Sequence, residues 1–278
     1  MNTSTSNIDS ILNALDQANN ENVFTVYLPV LKKDVKSKIL NTDQLKKLFK
    51  SLVDSPLQNS LFTQTFNQIM SENIIEEDVN NLTVVDKAVY FVALRTNSIA
   101  STYTVNLTEE DIKKDDLKSA KVSYDLSHHL KNVVLNFNSE LERSVTSGQY
   151  TVVCGMPTIK VENLLEKELH KNVNVEVNSP EELRQLIGDA FINEITKYIK
   201  SLTVNSEVID FTALDFKSRI LLVSKLPTTL INGVLKYMES CKLLTDSVMK
   251  FPITVYNNSD SNVSIVKEIP FDASFFNE

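Results

Sequence analysis

The sequence predicts an α+β fold: an N-terminal hairpin plus helices, a central small antiparallel sheet, and a C-terminal helical region ending in a β-hairpin. Three observations carry that prediction. Apolar residues recur at helical spacing up to about residue 100, at a spacing of two from about residue 101, and at helical spacing again from residue 179. The stretch "LTVVDKAVYFVALRTNSIAS", residues 82–101, reads as a helix with almost no water-facing side. A chain of 278 residues, 42% apolar and 23% charged, can bury a sizeable core. The periods divide the chain into an N-terminal α+β domain with a buried central helix (1–100), a β-rich middle region (101–178) and a helical C-terminal region with its terminal hairpin (179–278).

After a polar start with one short amphipathic stretch (Ile8, Ile11, Leu12, Leu15), "NVFTVYLPV" is rich in β-formers and ends at Pro29. "DVKSKIL" is its hairpin partner. "NTDQLKKLFKSLV" starts at a cap, Asn41 or Thr42, and turns Leu45, Leu48, Phe49 and Leu52 to one side. Beyond Pro56, Leu57, Leu61, Phe62, Phe66, Ile69 and Met70 make a second apolar stripe. Thr83 and Asp86 have capping-box spacing at the head of the central helix. Within that helix Asp86, Lys87 and Arg95 are the residues expected to face solvent, and the hairpin and preceding helices are the expected cover.

From residue 101, "STYTVNL", "HLKNVVLNF", "GQYTVVCGM", "TIKVENL" and "NVNVEV" read as strands or strand edges, with the acidic run "EEDIKKDDLKSA" as a solvated connecting loop. Ser179, Pro180 and Glu182 announce the next helix. "SLTVNSEVIDF" reads as a short hairpin, Thr212 and Asp215 cap a further helix, and Pro227 introduces another. The chain closes on a hairpin whose turn is the polar run from Asn257 to Asn262.

Composition narrows function. A formal charge of −8 argues against a nucleic-acid surface, and Lys46, Lys47 and Lys50 read as a solvated helix face. No stretch has transmembrane length and no secretory signal is visible, so no membrane partner is expected and the chain is expected to act first in a reducing cytoplasm. Cys154 and Cys241 are accordingly expected as buried thiols rather than a disulfide. The four glycines, Gly148, Gly155, Gly188 and Gly233, form neither a dinucleotide fingerprint nor a phosphate loop, and no nucleophile elbow is present. His128 and His129, adjacent on an expected strand, point to opposite faces, and His170 lies in a charged segment. No catalytic residue, cofactor-binding residue, metal ligand or small-molecule substrate is therefore assigned, and the chain is not expected to be an enzyme.

Three segments together resemble one family: "FTVYLPVLKKDVKSKIL NTDQLKKLF", the central "LTVVDKAVYFVALRTNSIASTY", and "IDFTALDFKSRILLVSKLP" with the tail "EIPFDASFF". The set is similar to the baseplate hub and hub-assembly proteins of T-even-like tailed bacteriophages (myoviruses). The resemblance implies a structural or assembly role in the central hub of a contractile tail baseplate, with other phage tail and baseplate proteins as partners. It implies residence in the host cytoplasm during assembly and in the virion afterwards. In many relatives the tail hairpin looks like a small zinc ribbon. Here "FPITVYNNSDSNVSIVKEIPFDASFF" holds no cysteine and must stand on side-chain packing. A cytoplasmic adaptor or chaperone-like binding module outside any virion is the alternative.

Four residues stand out as candidate partner-binding groups. Arg95 ends a very apolar helix, where it either caps the helix carboxyl end, pairs a carboxylate or meets a partner. Phe271, Phe275 and Phe276 crowd the chain end and must be buried, on the protein's own body or on a partner.

Overall fold

The computed structural model describes residues 21–52, 58–165, 179–259 and 261–277, with scattered positions between 8 and 18. The fold is α+β. In chain order its elements are β1 (Val23–Leu28), β2 (Lys33–Lys38), α1 (Thr42–Lys50), α2 (Gln58–Asn73), β3 (Ile74–Ile75) and α3 (Val84–Ser98). There follow β4 (Thr102–Asn106), α4 (Glu109–Asp115), β5 (Lys121–Asp125), α5 (Leu126–Asn136), β6 (Glu142–Ser147) and β7 (Tyr150–Gly155). The remainder is α6 (Pro180–Thr196), β8 (Ile199–Val204), β9 (Glu207–Asp210), α7 (Phe216–Val223), α8 (Thr228–Met249), β10 (Lys250–Tyr256) and β11 (Asn262–Glu268). A final 3-10 turn spans Ala273–Phe276.

The chain clusters into two compact units that ignore the order of the sequence. One joins Met1–Val79, Asp86–Phe137 and Ser247–Glu278; the other joins Asn80–Val85 and Asn138–Asp246. These are not the three consecutive regions expected from the change of period, because long-range pairing rather than local period decides which segments cluster.

In the first unit β1 and β2 form the expected antiparallel hairpin, with Val26 opposite Val35, and β3 extends it to three strands. Phe24, Val26 and Leu28 point into the core at the period of two. Asn41 caps α1 in a reciprocal box with Gln44. Of the α1 residues expected inside, Leu48 is fully buried, whereas Leu45 and Phe49 are half-exposed. Gln44 takes the inner position instead, donating to Asn73 Oδ1 at 2.8 Å and Glu72 Oε2 at 3.0 Å. Phe62, Phe66, Ile69 and Met70 of α2 are buried as expected, and Leu61 is exposed.

α3 is buried on all sides: Val85, Val89, Tyr90, Phe91, Val92 and Leu94 have no exposed surface. Asp86, Lys87 and Arg95 are buried too, which corrects the expectation that they face water. The physical reason is that polar partners come to them. Asp86 Oδ1 accepts the Val30 N–H of the hairpin loop at 2.9 Å, and the Lys87 ammonium lies 5.4 Å from the Phe271 ring centre.

Three segments read as strand or loop are helical. "HLKNVVLNF" lies mostly in α5, because Asp125 Oδ1 accepts the amides of Ser127 and His128 and nucleates the first turn. The acidic run opens with α4, started by a capping box between Thr108 and Asp111. "TIKVENL" is helical from Ile159, with Thr158 at its head accepting the Glu162 amide at its carbonyl oxygen. "NVNVEV" and His170 lie outside the described residues.

The middle region also holds two sheets rather than one. β4 pairs only with β5, among the described residues, in the first unit. In the second unit β6, β7, β8 and β9 form a four-stranded antiparallel sheet in sequence order, so the "SLTVNSEVIDF" hairpin continues an existing sheet. Gly148, at φ +60°, makes the turn between β6 and β7. α8 lies so close to β6 that a Cβ on Gly233 would stand 2.3 Å from Val145 Cγ1. The terminal hairpin, β10 with β11, turns where expected.

Phe91 sits at the middle of this packing, fully buried. Phe91→Asp is expected to leave the protein insoluble, since an unpaired buried carboxylate costs several kcal/mol, about the stability of a whole domain. Soluble yield and the thermal melt measure it, and a soluble variant with an unchanged melt would refute the burial of α3.

Candidate functional site

The residues singled out from the sequence converge on α3, the three phenylalanines on Phe91 near its middle and Arg95 in its last turn. Arg95 is 2% exposed. Its Nε donates to the carbonyl of Phe275 at 2.7 Å, and Nη1 donates to the carbonyls of Ala100 at 2.7 Å and Thr102 at 3.3 Å. Its guanidinium carbon stands 5.1 Å from the Tyr103 ring centre and 5.2 Å from that of Phe275. The bonds to Ala100 and Thr102 go to carbonyls just beyond the end of α3 at Ser98, rather than to the helix's own last carbonyls. The bond to Phe275 joins positions 180 residues apart, and no local pattern announces it. Burial next to this site raises the Tyr103 phenol above its ordinary value, against the opposing pull of the Arg95 charge.

Phe275 and Phe276 are buried and Phe271 is half-buried. All three pack on Phe91 of α3, at centroid distances of 4.6 Å for Phe271, 5.0 Å for Phe275 and 5.3 Å for Phe276. Phe62 and Phe66 of α2 meet Phe271 edge to face at 5.3 and 5.8 Å. Asp272 fixes the tail turn by accepting the Ser274 amide at 2.7 Å. Of the two alternatives for the tail, burial on the chain's own body is therefore the one observed. Arg95, Phe275 and Phe276, proposed from the sequence as partner-binding groups, present almost no surface to a partner in this structure, because each already fills the core.

Two histidines expected on a strand lie on α5. His128 is exposed, whereas His129 is 6% exposed. His129 Nε2 donates to the Val248 carbonyl at 2.8 Å, which leaves Nδ1 to accept from the Tyr124 hydroxyl at 3.2 Å. Burial holds its pKa below the ordinary 6.5. Cys154 and Cys241 are buried free thiols, as expected. Burial pushes the Cys154 thiol up to about 11 and raises Cys241 as well, which leaves both poor nucleophiles at neutral pH.

Arg219 was not anticipated. It repeats the Arg95 arrangement in the second unit, 3% exposed, donating through Nε to Leu214 O at 3.1 Å and through Nη2 to Thr212 O at 3.2 Å. Among the described residues, no group of three or more His, Cys, Asp or Glu side chains is placed to hold a metal ion. No described helix is long and apolar enough to cross a membrane.

Arg95→Leu removes the donor to the carbonyls of Phe275, Ala100 and Thr102, and a loss of about 3–5 kcal/mol is expected. Arg95→Lys keeps the charge but not the fork and should fall between. Urea midpoints measure both, and a leucine variant within about 0.5 kcal/mol of the parent would show the guanidinium to be dispensable. A second expectation concerns pH. The folded state holds His129 neutral below the pH at which the unfolded chain takes up its proton, so its contribution is complete above pH 6.5 and declines as pH falls towards the depressed folded value. The slope of stability against pH in that window should flatten in His129→Phe; an unchanged slope would remove His129 as its source.

No family model, no curated protein and no solved structure matches this chain.

Proposed function

We propose that this chain is a structural or assembly protein of the central hub of a contractile phage tail baseplate, working through protein–protein contacts. One observation carries the reading. Three of the stretches that bear the family resemblance are tied together by direct hydrogen bonds at α3. The hairpin loop reaches it through Val30 N–H on Asp86, and the tail reaches it through the Phe275 carbonyl on Arg95. A likeness spread over distant segments is more telling when those segments build one core than when they are scattered.

The surface adds support. Ile187 and Phe191, one turn apart on α6, are 61% and 51% exposed, and neighbouring exposed apolar groups mark contact surfaces. In this reading the partners are other tail and baseplate proteins, met in the host cytoplasm during assembly. The test is a mass-spectrometric protein inventory of purified particles and of tail-assembly intermediates from the same lysate. Peptides of this chain are expected in one or both at constant ratio to known tail proteins. Absence from both, with the chain abundant in the remaining lysate, would overturn the proposal and favour the adaptor alternative.

A further inference from the structure

In the second unit two thiols far apart in the sequence lie in one layer, between α8 and the sheet. Val145 of β6 faces α8, since a Cβ on Gly233 would run into its Cγ1. Strand alternation puts Arg143 on that same face, and the register of β6 with β7 sets Cys154 directly opposite Arg143. Cys154 therefore points at α8. Along the helix Gly233, Tyr237 and Cys241 follow at steps of four, one above another on a single face. The Tyr237 hydroxyl donates to the Leu141 carbonyl at 2.6 Å, and its ring centre lies 5.6 Å from the Arg143 guanidinium carbon. The stripe thus runs down β6 from Val145 towards Leu141 and carries Cys241 into the layer that holds Cys154. Both thiols are buried. Cys241 is within hydrogen-bonding reach of the Tyr237 hydroxyl, the Arg143 charge acts on both thiols, and a charge on Cys241 is felt at Cys154.

We propose that Cys154 and Cys241 are a paired oxidation site that closes to an intramolecular disulfide when hydrogen peroxide reaches it. The thiolate of one cysteine attacks a peroxide oxygen, the O–O bond breaks, and the leaving hydroxide takes up a proton to become water. The second thiol attacks the sulfur of the sulfenic acid so formed, making the S–S bond and releasing a second water. Two thiols lose two hydrogens and two electrons, and one peroxide becomes two waters. Arg143, partly exposed and paired with Glu140 at 2.7 Å, holds a positive charge beside the thiolate as it forms. Burial keeps that thiolate scarce and so sets the rate, whereas the shared layer sets the product. The bond staples α8 to β7. Nothing in this chemistry depends on the baseplate reading.

The test exposes the folded whole chain to hydrogen peroxide, stops the reaction by alkylation, and reads intact mass and a non-reducing peptide map. The parent is expected to lose about 2 Da, with Cys154 and Cys241 in one linked pair of peptides and no linked dimer. Its melt should rise by about 5–15 °C, because the bond closes a long loop. Cys154→Ala and Cys241→Ala cannot form the bond. Each should instead gain about 16 or 32 Da at the remaining cysteine, and sulfenic-acid capture by dimedone should exceed the parent's at least about tenfold. A parent that gains oxygen at either cysteine without the link would overturn the pairing, and so would linkage between chains only. No reaction of the folded parent up to about 10 mM peroxide, where the urea-unfolded chain oxidises, would overturn the site. A linked chain that melts below the reduced one would overturn the staple, since the bond would then be drawing α8 off the sheet.

Discussion

An arginine withdrawn from water must keep its N–H groups bonded, and Arg95 does so with main-chain oxygens from two distant parts of the chain. That requirement organises the first unit. A carbonyl at position 275 can stand at the end of α3 only if the tail is folded into its short turn. The tail can take that turn only if Phe275 and Phe276 have somewhere apolar to go. Phe91 supplies that place, and the Arg95 plane covers the outer face of Phe275, so one side chain serves as hydrogen-bond donor and as lid. Removing any member leaves a buried polar atom unsatisfied or an aromatic ring uncovered, and both are costly in a close-packed interior.

The same logic explains a helix with no wet face that nevertheless carries three charges. Asp86 lies in the first turn of α3, where the helix dipole favours an anion, and it also binds the Val30 amide. Lys87 meets the Phe271 ring. Arg95 closes the other end. Each charge sits where a particular distant segment arrives, so the polar residues of α3 decide which segments dock and the apolar ones supply most of the driving force. Arg219 shows the same solution on a smaller scale in the second unit.

The sequence made some of this legible. Capping chemistry was the most dependable guide: Asn41, Pro180 and Asp215 each stand where a helix begins. Alternation located β1, β7, β10 and the turn after Tyr256. It misled at "HLKNVVLNF", where Val133 and Val134 suggested a strand although Asp125 had already nucleated a helix. The box of Thr108 and Asp111 was equally readable and was passed over because the run that follows is so polar. At the candidate site, Arg95 was conspicuous and the aromatic tail was conspicuous. Their meeting was not, because nothing local in a sequence relates residues 180 positions apart.

The bond from Arg95 to Phe275 has a consequence for the order in which the protein is made. When α3 leaves the ribosome, the ring that will cover it and the carbonyl that will hold its arginine have not been synthesised. At about 5–20 residues per second, 180 further residues take roughly 10–40 s. For that interval α3 has the hairpin and α2 beside it but lacks the part of its cover that the tail supplies. Closing so long a loop is slow, and the nascent chain meets other proteins throughout the wait. The rate of translation over the second half of the message is therefore part of how this fold is reached.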